Sequence, residues 1–193
     1  MTLSTTQIPE EHAIHDWNEV EHHRPVFKTN LELCDETLRD GIQSPSVVDP
    51  PIDTKLELIN LMDNLGITIA DIGLPGAGPR AVEDITTIAK YMRDNRLKLK
   101  ANAAARTVIR DIEPIVNIQQ EVGIPIAAYC FLGTSPLRLY AEGWDVDFLL
   151  RQSEKALSFG IKEGLEVAFV TEDTIRSTPK VLEPLFRNAI NIG

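Results

Sequence analysis

Two apolar rhythms take turns along this chain. One is the short, dense apolar run of a strand, and the other is the three-to-four spacing of a helix that buries one face. Leu31-Glu32-Leu33-Cys34 opens as a short strand. After a turn at Asp49-Pro50-Pro51, with Asp53 as the expected N-cap, Leu56, Ile59, Leu61, Met62 and Leu65 recur at helical spacing until Gly66 ends the run. A strand is then predicted over 67–74, a helix over 79–95 on Val82, Ile85, Ile88, Ala89 and Met92, and a strand over 97–104. The pattern continues with a helix over 111–122, whose Pro114 suits only a first turn, a strand over 124–131 and a helix over 145–159. A strand over 165–170 and a helix opened by Thr178-Pro179 complete it.

Strand, helix, strand in succession implies parallel pairing, because parallel neighbours need a crossover. Units of roughly thirty residues fit two architectures: an open doubly wound sheet, which five units complete, or an eight-unit barrel, which needs about 250 residues. For 193 residues, length alone favours the open sheet.

Composition narrows the class. At 43% hydrophobic and 25% charged, the chain can bury one substantial core. It has no apolar run of about 18 residues that would span a membrane, and its start lacks the basic-then-apolar order of a secretory signal. A net charge of −10 without clustered Lys and Arg argues against a nucleic-acid surface. Cys34 and Cys130 end apolar runs and form no spaced framework, so they are expected to be buried thiols in a reducing cytoplasm. Residues 1–30 are polar and acidic, the expected N-terminal arm ahead of a catalytic domain over 31–193. That arm carries all four histidines, His12, His15, His22 and His23, with no Cys or second spaced pair to complete a metal site.

Candidate chemistry concentrates in Asp35-Glu36-Thr37-Leu38-Arg39-Asp40-Gly41-Ile42-Gln43-Ser44-Pro45, directly after the first strand. Arg39 is a permanent cation able to hold a carboxylate or a developing oxyanion, and Asp40 is a hard oxygen ligand for a divalent cation. Gly41 lets the backbone turn sharply. Taken alone, these residues also fit a solvated loop. Gly76-Ala77-Gly78-Pro79-Arg80-Ala81 matches a loose dinucleotide fingerprint, but Pro79 removes a backbone donor and no strand-end acid follows about twenty residues on. A nicotinamide site is therefore not expected.

The stretch over 35–45 resembles the first-strand signature of the metal-dependent barrel enzymes that include 2-isopropylmalate synthase, homocitrate synthase and citramalate synthase, and more distantly the hydroxymethylglutaryl-CoA lyases. The likeness runs over about 31–193. It includes Lys55-Leu56-Glu57-Leu58, Asp71-Ile72-Gly73-Leu74-Pro75 where the synthases more often carry Glu-Ala-Gly, Gly133-Thr134-Ser135-Pro136-Leu137-Arg138, and the segment from Glu166 through Glu172-Asp173 to Ser177. Asp40 after Arg39 is similar to isopropylmalate synthases, and Gly133-Thr134-Ser135 to homocitrate synthases. Tyr129 stands about where the former place a histidine.

The resemblance implies an α/β (β/α)8 TIM barrel, of which this chain holds about five units. It implies an acyltransferase that condenses acetyl-CoA with a 2-oxo acid, as in leucine biosynthesis, with a divalent metal (Mg, Mn or Zn). Homocitrate synthesis from 2-oxoglutarate and carbon-carbon lysis are the alternatives. By the same resemblance Arg39 and Glu172 are catalytic, Arg39, Gln43, Thr134 and Arg138 bind substrate, and Asp40 holds the metal. Arg138 is the candidate for a far carboxylate. Asp71, Arg106 and Ser135 are expected at strand ends on the same rim. The implied protein is a cytoplasmic homodimer without nucleic-acid or membrane partners. The family's remaining metal ligands are a His-x-His pair, and no histidine follows His23. The chain is accordingly expected to bind metal poorly by itself, to expose the edges of its first and fifth strands, and to be a fragment of a longer enzyme rather than an inactive remnant.

Overall fold

The computed structural model describes residues 31–193. Strands and helices alternate as β1 (Cys34–Asp35), α1 (Ile52–Leu65), β2 (Ile69–Asp71), α2 (Pro79–Asp94), β3 (Lys100–Arg106), α3 (Ile109–Val122), β4 (Ile126–Gly133), α4 (Pro136–Glu142), α5 (Val146–Lys162), β5 (Val167–Glu172) and α6 (Pro179–Ile192). The strands pair in parallel in the order β1-β2-β3-β4-β5. A doubly wound sheet reverses its order part-way and so lays helices on both faces. Here the order never reverses, and α1, α2, α3, α5 and α6 pack each against the next in one layer. The result is a half-barrel of five βα units, and the open sheet favoured by length is overturned. The N-terminal arm and its four histidines lie outside the described residues.

Register fixes which side chains face which way. Partners across β2, β3 and β4 are Ala70 with Ala101, Asp71 with Asn102, Ala104 with Tyr129 and Arg106 with Phe131. Because side chains alternate along a strand, Ala101, Ala103 and Ala105 share the outer face with Ile126, Ala128 and Cys130. All six are buried against Ile59, Ile85, Ile88, Ile112 and Ile115 of the helices. Alanine along β3 keeps that wall flat enough for the helices to seat closely. The inner face then holds Asp71, Asn102, Ala104, Arg106, Tyr129, Phe131, Val170 and Glu172. Three of its charged members, Asp71, Arg106 and Glu172, are the last residues of β2, β3 and β5 at the C-terminal rim, while Lys100 opens β3 at the other end.

Local details depart from expectation for identifiable reasons. Only Cys34 and Asp35 pair in β1, while Leu31 and Leu33 stay exposed. The Leu33 carbonyl accepts from the Thr68 and Ile69 amides, which is all the ladder contributes before Cys34. Pro51 is the N-cap of α1, so Asp53 sits in the first turn, where its charge favours the helix dipole rather than capping. Helix α3 starts early, which leaves Pro114 inside it and deprives the Arg110 carbonyl of its intrahelical donor. Helix α4 was not expected. Its signals are the Ser135 hydroxyl accepting from the Arg138 amide, Pro136 at the first position and Gly143 in the left-handed region at the end. Cys130 is buried as expected, with its thiol pushed up to about 12 by desolvation, but Cys34 is exposed at the short edge strand.

One buried charge cluster holds the loop after the first turn. Lys55 Nζ lies 2.7 Å from Asp49 Oδ1 and 2.7 Å from Asp84 Oδ2, with its side chain only 5% exposed. Arg80 reaches the other Asp49 oxygen at 3.0 Å. Removing one partner of a buried pair leaves an uncompensated charge, so Lys55→Met is expected to cost about 3 kcal/mol in urea unfolding. Lys90→Met, at the exposed Glu121 pair, should cost less than about 1 kcal/mol. Equal effects would show that Lys55 has no special structural weight.

Candidate active site

Local contacts fix the loop that follows β1. Asp35 Oδ1 accepts from the Thr37 amide at 2.8 Å, an Asx-turn that bends the chain out of the strand. Leu38 is buried and anchors the turn in the core, while the Glu36 carbonyl accepts from the Arg39 and Gly41 amides. A single 3-10 turn at Gly41–Gln43 closes it. These contacts leave Arg39 and Asp40 on the rim.

Arg39 sits among three carboxylates. Its Nε donates to Glu36 Oε2 at 2.9 Å, NH1 donates to Asp40 Oδ1 at 3.1 Å, and Nε lies 3.5 Å from Asp71 Oδ2. Asp71 is nearly closed off, with 1% of its side chain exposed, and its Oδ1 accepts from the Gly73 amide at 3.1 Å. Burial pushes its carboxyl up to about 7, and the nearby Glu36 charge adds to the rise, against the opposing pull of the Gly73 amide and Arg39. Glu36 was not among the expected site residues. Its signal was the three-residue spacing to Arg39.

A cavity of about 350 Å³ brings the ends of several strands together. Arg39, Asp40, Gln43, Asp71 and Glu172 line it, with Leu74, Ala104, Tyr129, Phe131 and Val170 as largely apolar walls. Arg39, Gln43 and Glu172 come from opposite ends of the half-barrel and meet only through its curvature. The Tyr129 phenol is held above its ordinary range, chiefly by burial and then by the negative neighbours Cys34, Glu166, Asp71 and Glu36.

Comparison with known sequences places this geometry. The HMGL-like family model matches residues 30–193. The chain belongs to the HMGL-like family. It is 29% identical over 164 residues to a 2-isopropylmalate synthase of Lactococcus lactis, covering 84% of this chain and 31% of that protein. It is 28% identical over 162 residues to a homocitrate synthase of Sulfolobus acidocaldarius, covering 83% of this chain and 33% of that one. A 2-isopropylmalate synthase of Halothermothrix orenii is 28% identical over 164 residues, 84% of this chain and 31% of its own. The chain thus spans about a third of the length of the curated relatives it matches.

Within this HMGL-like half-barrel, two expected substrate residues lie outside the cavity. Thr134 is fully buried, its hydroxyl 2.6 Å from the Ser177 hydroxyl and its amide donating to the Glu172 carbonyl. It offers no surface to a ligand and instead ties down the strand end that carries Glu172. Ser135 is likewise buried and spent on capping α4. Arg138 lies across Gly133, where a Cβ would come within 2.5 Å of its Cγ, and faces Trp144 with its guanidinium 5.8 Å from the ring centroid. It lines a neighbouring open cavity that shares only Glu172 with the first.

The described residues do not make a metal centre. Among them no three His, Cys, Asp or Glu side chains converge as a metal site. Asp40, with 71% of its side chain exposed, offers an oxygen, but one carboxylate falls well short of the roughly six ligands a hard divalent cation takes. Asn102 Nδ2, on the inner face beside Asp71, is a buried donor without a partner. No helix among the described residues is long and apolar enough to cross a membrane.

The raised Asp71 carboxyl has a signed consequence for stability. The folded chain keeps this proton up to about 7, whereas the unfolded carboxyl loses it near its ordinary value of 3.8. Between those values the folded state binds the extra proton, so stability should fall as pH rises through that window. In urea unfolding at about pH 5 and about pH 7.5, Asp71→Asn should lose this part of the slope. An unchanged slope would show that Asp71 ionises normally.

Proposed function

We propose that this chain carries the Arg39 half of an acyltransferase barrel that condenses acetyl-CoA with a 2-oxo acid, 2-oxoisovalerate first, to form 2-isopropylmalate. The observation that carries the reading is the shared cavity: a fixed guanidinium and an acid from the far strand line it together with apolar side chains. Three of the five Arg39 N–H donors are engaged by Glu36 and Asp40, which leaves one on NH1 and one on NH2 without a partner among the described residues. They would hold the oxo acid through its carboxylate or ketone oxygen.

In the condensation, the acetyl methyl loses a proton and its carbon attacks the ketone carbon. A carbon-carbon bond forms as the carbonyl π-bond opens, and the negative charge passes to the former ketone oxygen. Arg39 offsets that charge where it develops. Glu172, at the end of β5, is placed to orient reactants or relay the proton. Water then cleaves the thioester and frees the CoA thiol. The described residues leave a divalent site incomplete. Leu74, Phe131 and Val170 suit a branched aliphatic tail.

Arg138 supports one second reading. Its cavity adjoins the first at Glu172, so a longer dicarboxylic acid, 2-oxoglutarate, would reach it with its far carboxylate. The same reading takes 31–193 as one catalytic unit in a cytoplasmic homodimer.

Thiol release from acetyl-CoA tests these assignments. Dependence on 2-oxoisovalerate supports the first and dependence on 2-oxoglutarate the second. Arg39→Ala should lower the rate about a hundredfold or more with circular dichroism unchanged. Near-full turnover in that variant removes Arg39 from the mechanism, and no thiol release with either acid overturns the condensation.

A further inference from the structure

We infer that Arg106 and Arg110, with the glycine loop at Pro75–Ala77, form a rim site for the phosphate-bearing end of the acyl donor. This rests on the proposed use of acetyl-CoA, and the site itself is defined by geometry that reading does not need.

Arg106 ends β3 on its inner face, one rung above Ala104, which lines the Arg39 cavity. Its partner across the ladder, Phe131, lines the same cavity. A molecule whose reactive end lies at Arg39 and whose long arm leaves through the C-terminal mouth has Arg106 beside its exit. The Arg106 guanidinium is not free to wander. Nε donates to Asp111 Oδ2 at 2.5 Å and NH2 to Asp111 Oδ1 at 2.9 Å. Arg110 Nε lies 3.8 Å from Asp111 Oδ1, so two cations share one carboxylate. Asp111 is 3% exposed at its side chain, whereas Arg106 is 50% and Arg110 77% exposed.

That asymmetry is the informative part. An exposed arginine gains little stability from an ion pair, and burying the partner carboxylate costs free energy. What the arrangement provides is a planar fork held in one orientation, with its NH1 group turned away from Asp111. A pre-oriented guanidinium next to a second one matches phosphate oxygens.

The glycine loop belongs to the same device. A Cβ on Gly76 would stand 2.6 Å from Asp111 Oδ2, so only glycine lets the loop close over that carboxylate. The loop that imitates a dinucleotide fingerprint is therefore built around the Arg106 anchor.

Adenosine 3′,5′-bisphosphate, the phosphate end of coenzyme A without its thiol arm, is the probe. Calorimetric titration should show binding that weakens with salt and falls about tenfold in Arg110→Gln, the exposed member. Arg106→Lys keeps the charge but loses the fork and should fall similarly. Acetyl-CoA should compete with the probe, and acetyl-pantetheine, which lacks the nucleotide phosphates, should not. No binding to the unmodified chain, or binding in both variants as tight as in the unmodified chain, overturns the site. Probe binding that acetyl-CoA fails to displace removes the acyl donor as its ligand. Loss of thiol release with probe binding intact would overturn the condensation alone.

Discussion

The contact between Arg39 and the buried Asp71, 3.5 Å apart, joins the first two strands where they leave the sheet, and the rest of the site is arranged around it. Asp71 is too buried to carry its charge cheaply, and Glu36 makes matters worse. Arg39 offsets part of that cost while its Nε donates to Glu36 and its NH1 to Asp40. Three carboxylates about one guanidinium is a poor way to gain stability, since each acid raises the cost of the others. It is a good way to hold a guanidinium still on the lining of a cavity, and to keep one carboxyl close to neutrality.

The parallel register extends this local arrangement to the whole half-barrel. Alternation sends alanine and isoleucine outward to the helices and leaves the inner face uncharged between Lys100 at the start of β3 and the last rung. There it becomes charged, so Asp71, Arg106 and Glu172 share one rim. A slip of one residue in any strand would turn those groups into the helix layer and bury them unpaired. The charges at the rim and the apolar wall beneath the helices thus select the same register.

Much of this was legible in the sequence. The alternation of strand and helix gave the element order, and the dense apolar runs located β3, β4 and β5 to within a few residues. The choice of barrel over open sheet was not legible from periodicity, because both use the same units. It rests on the chain order of the strands, a long-range fact. Arg39, Asp40, Gln43 and Glu172 were named from their motifs, and all four line one cavity. Thr134 was named for substrate and lies buried against Ser177, because a hydroxyl at a strand end serves the backbone as readily as a ligand. Glu36 was passed over, although its spacing to Arg39 was visible, and the roles of Tyr129 and Phe131 as cavity walls needed the inward phase of β4, which only the register supplies.

The central claim is that Arg39 is an anion receptor poised on the rim, and the arginine side chain itself can be observed. In 15N-resolved spectra of the Arg Nε–H groups, titration with 2-oxoisovalerate should shift the Arg39 signal saturably while Arg93, on the far side of the sheet, stays put. Should Arg39 remain unmoved while the keto acid binds elsewhere, or should no arginine signal respond, the guanidinium is a structural brace and the site has been misread.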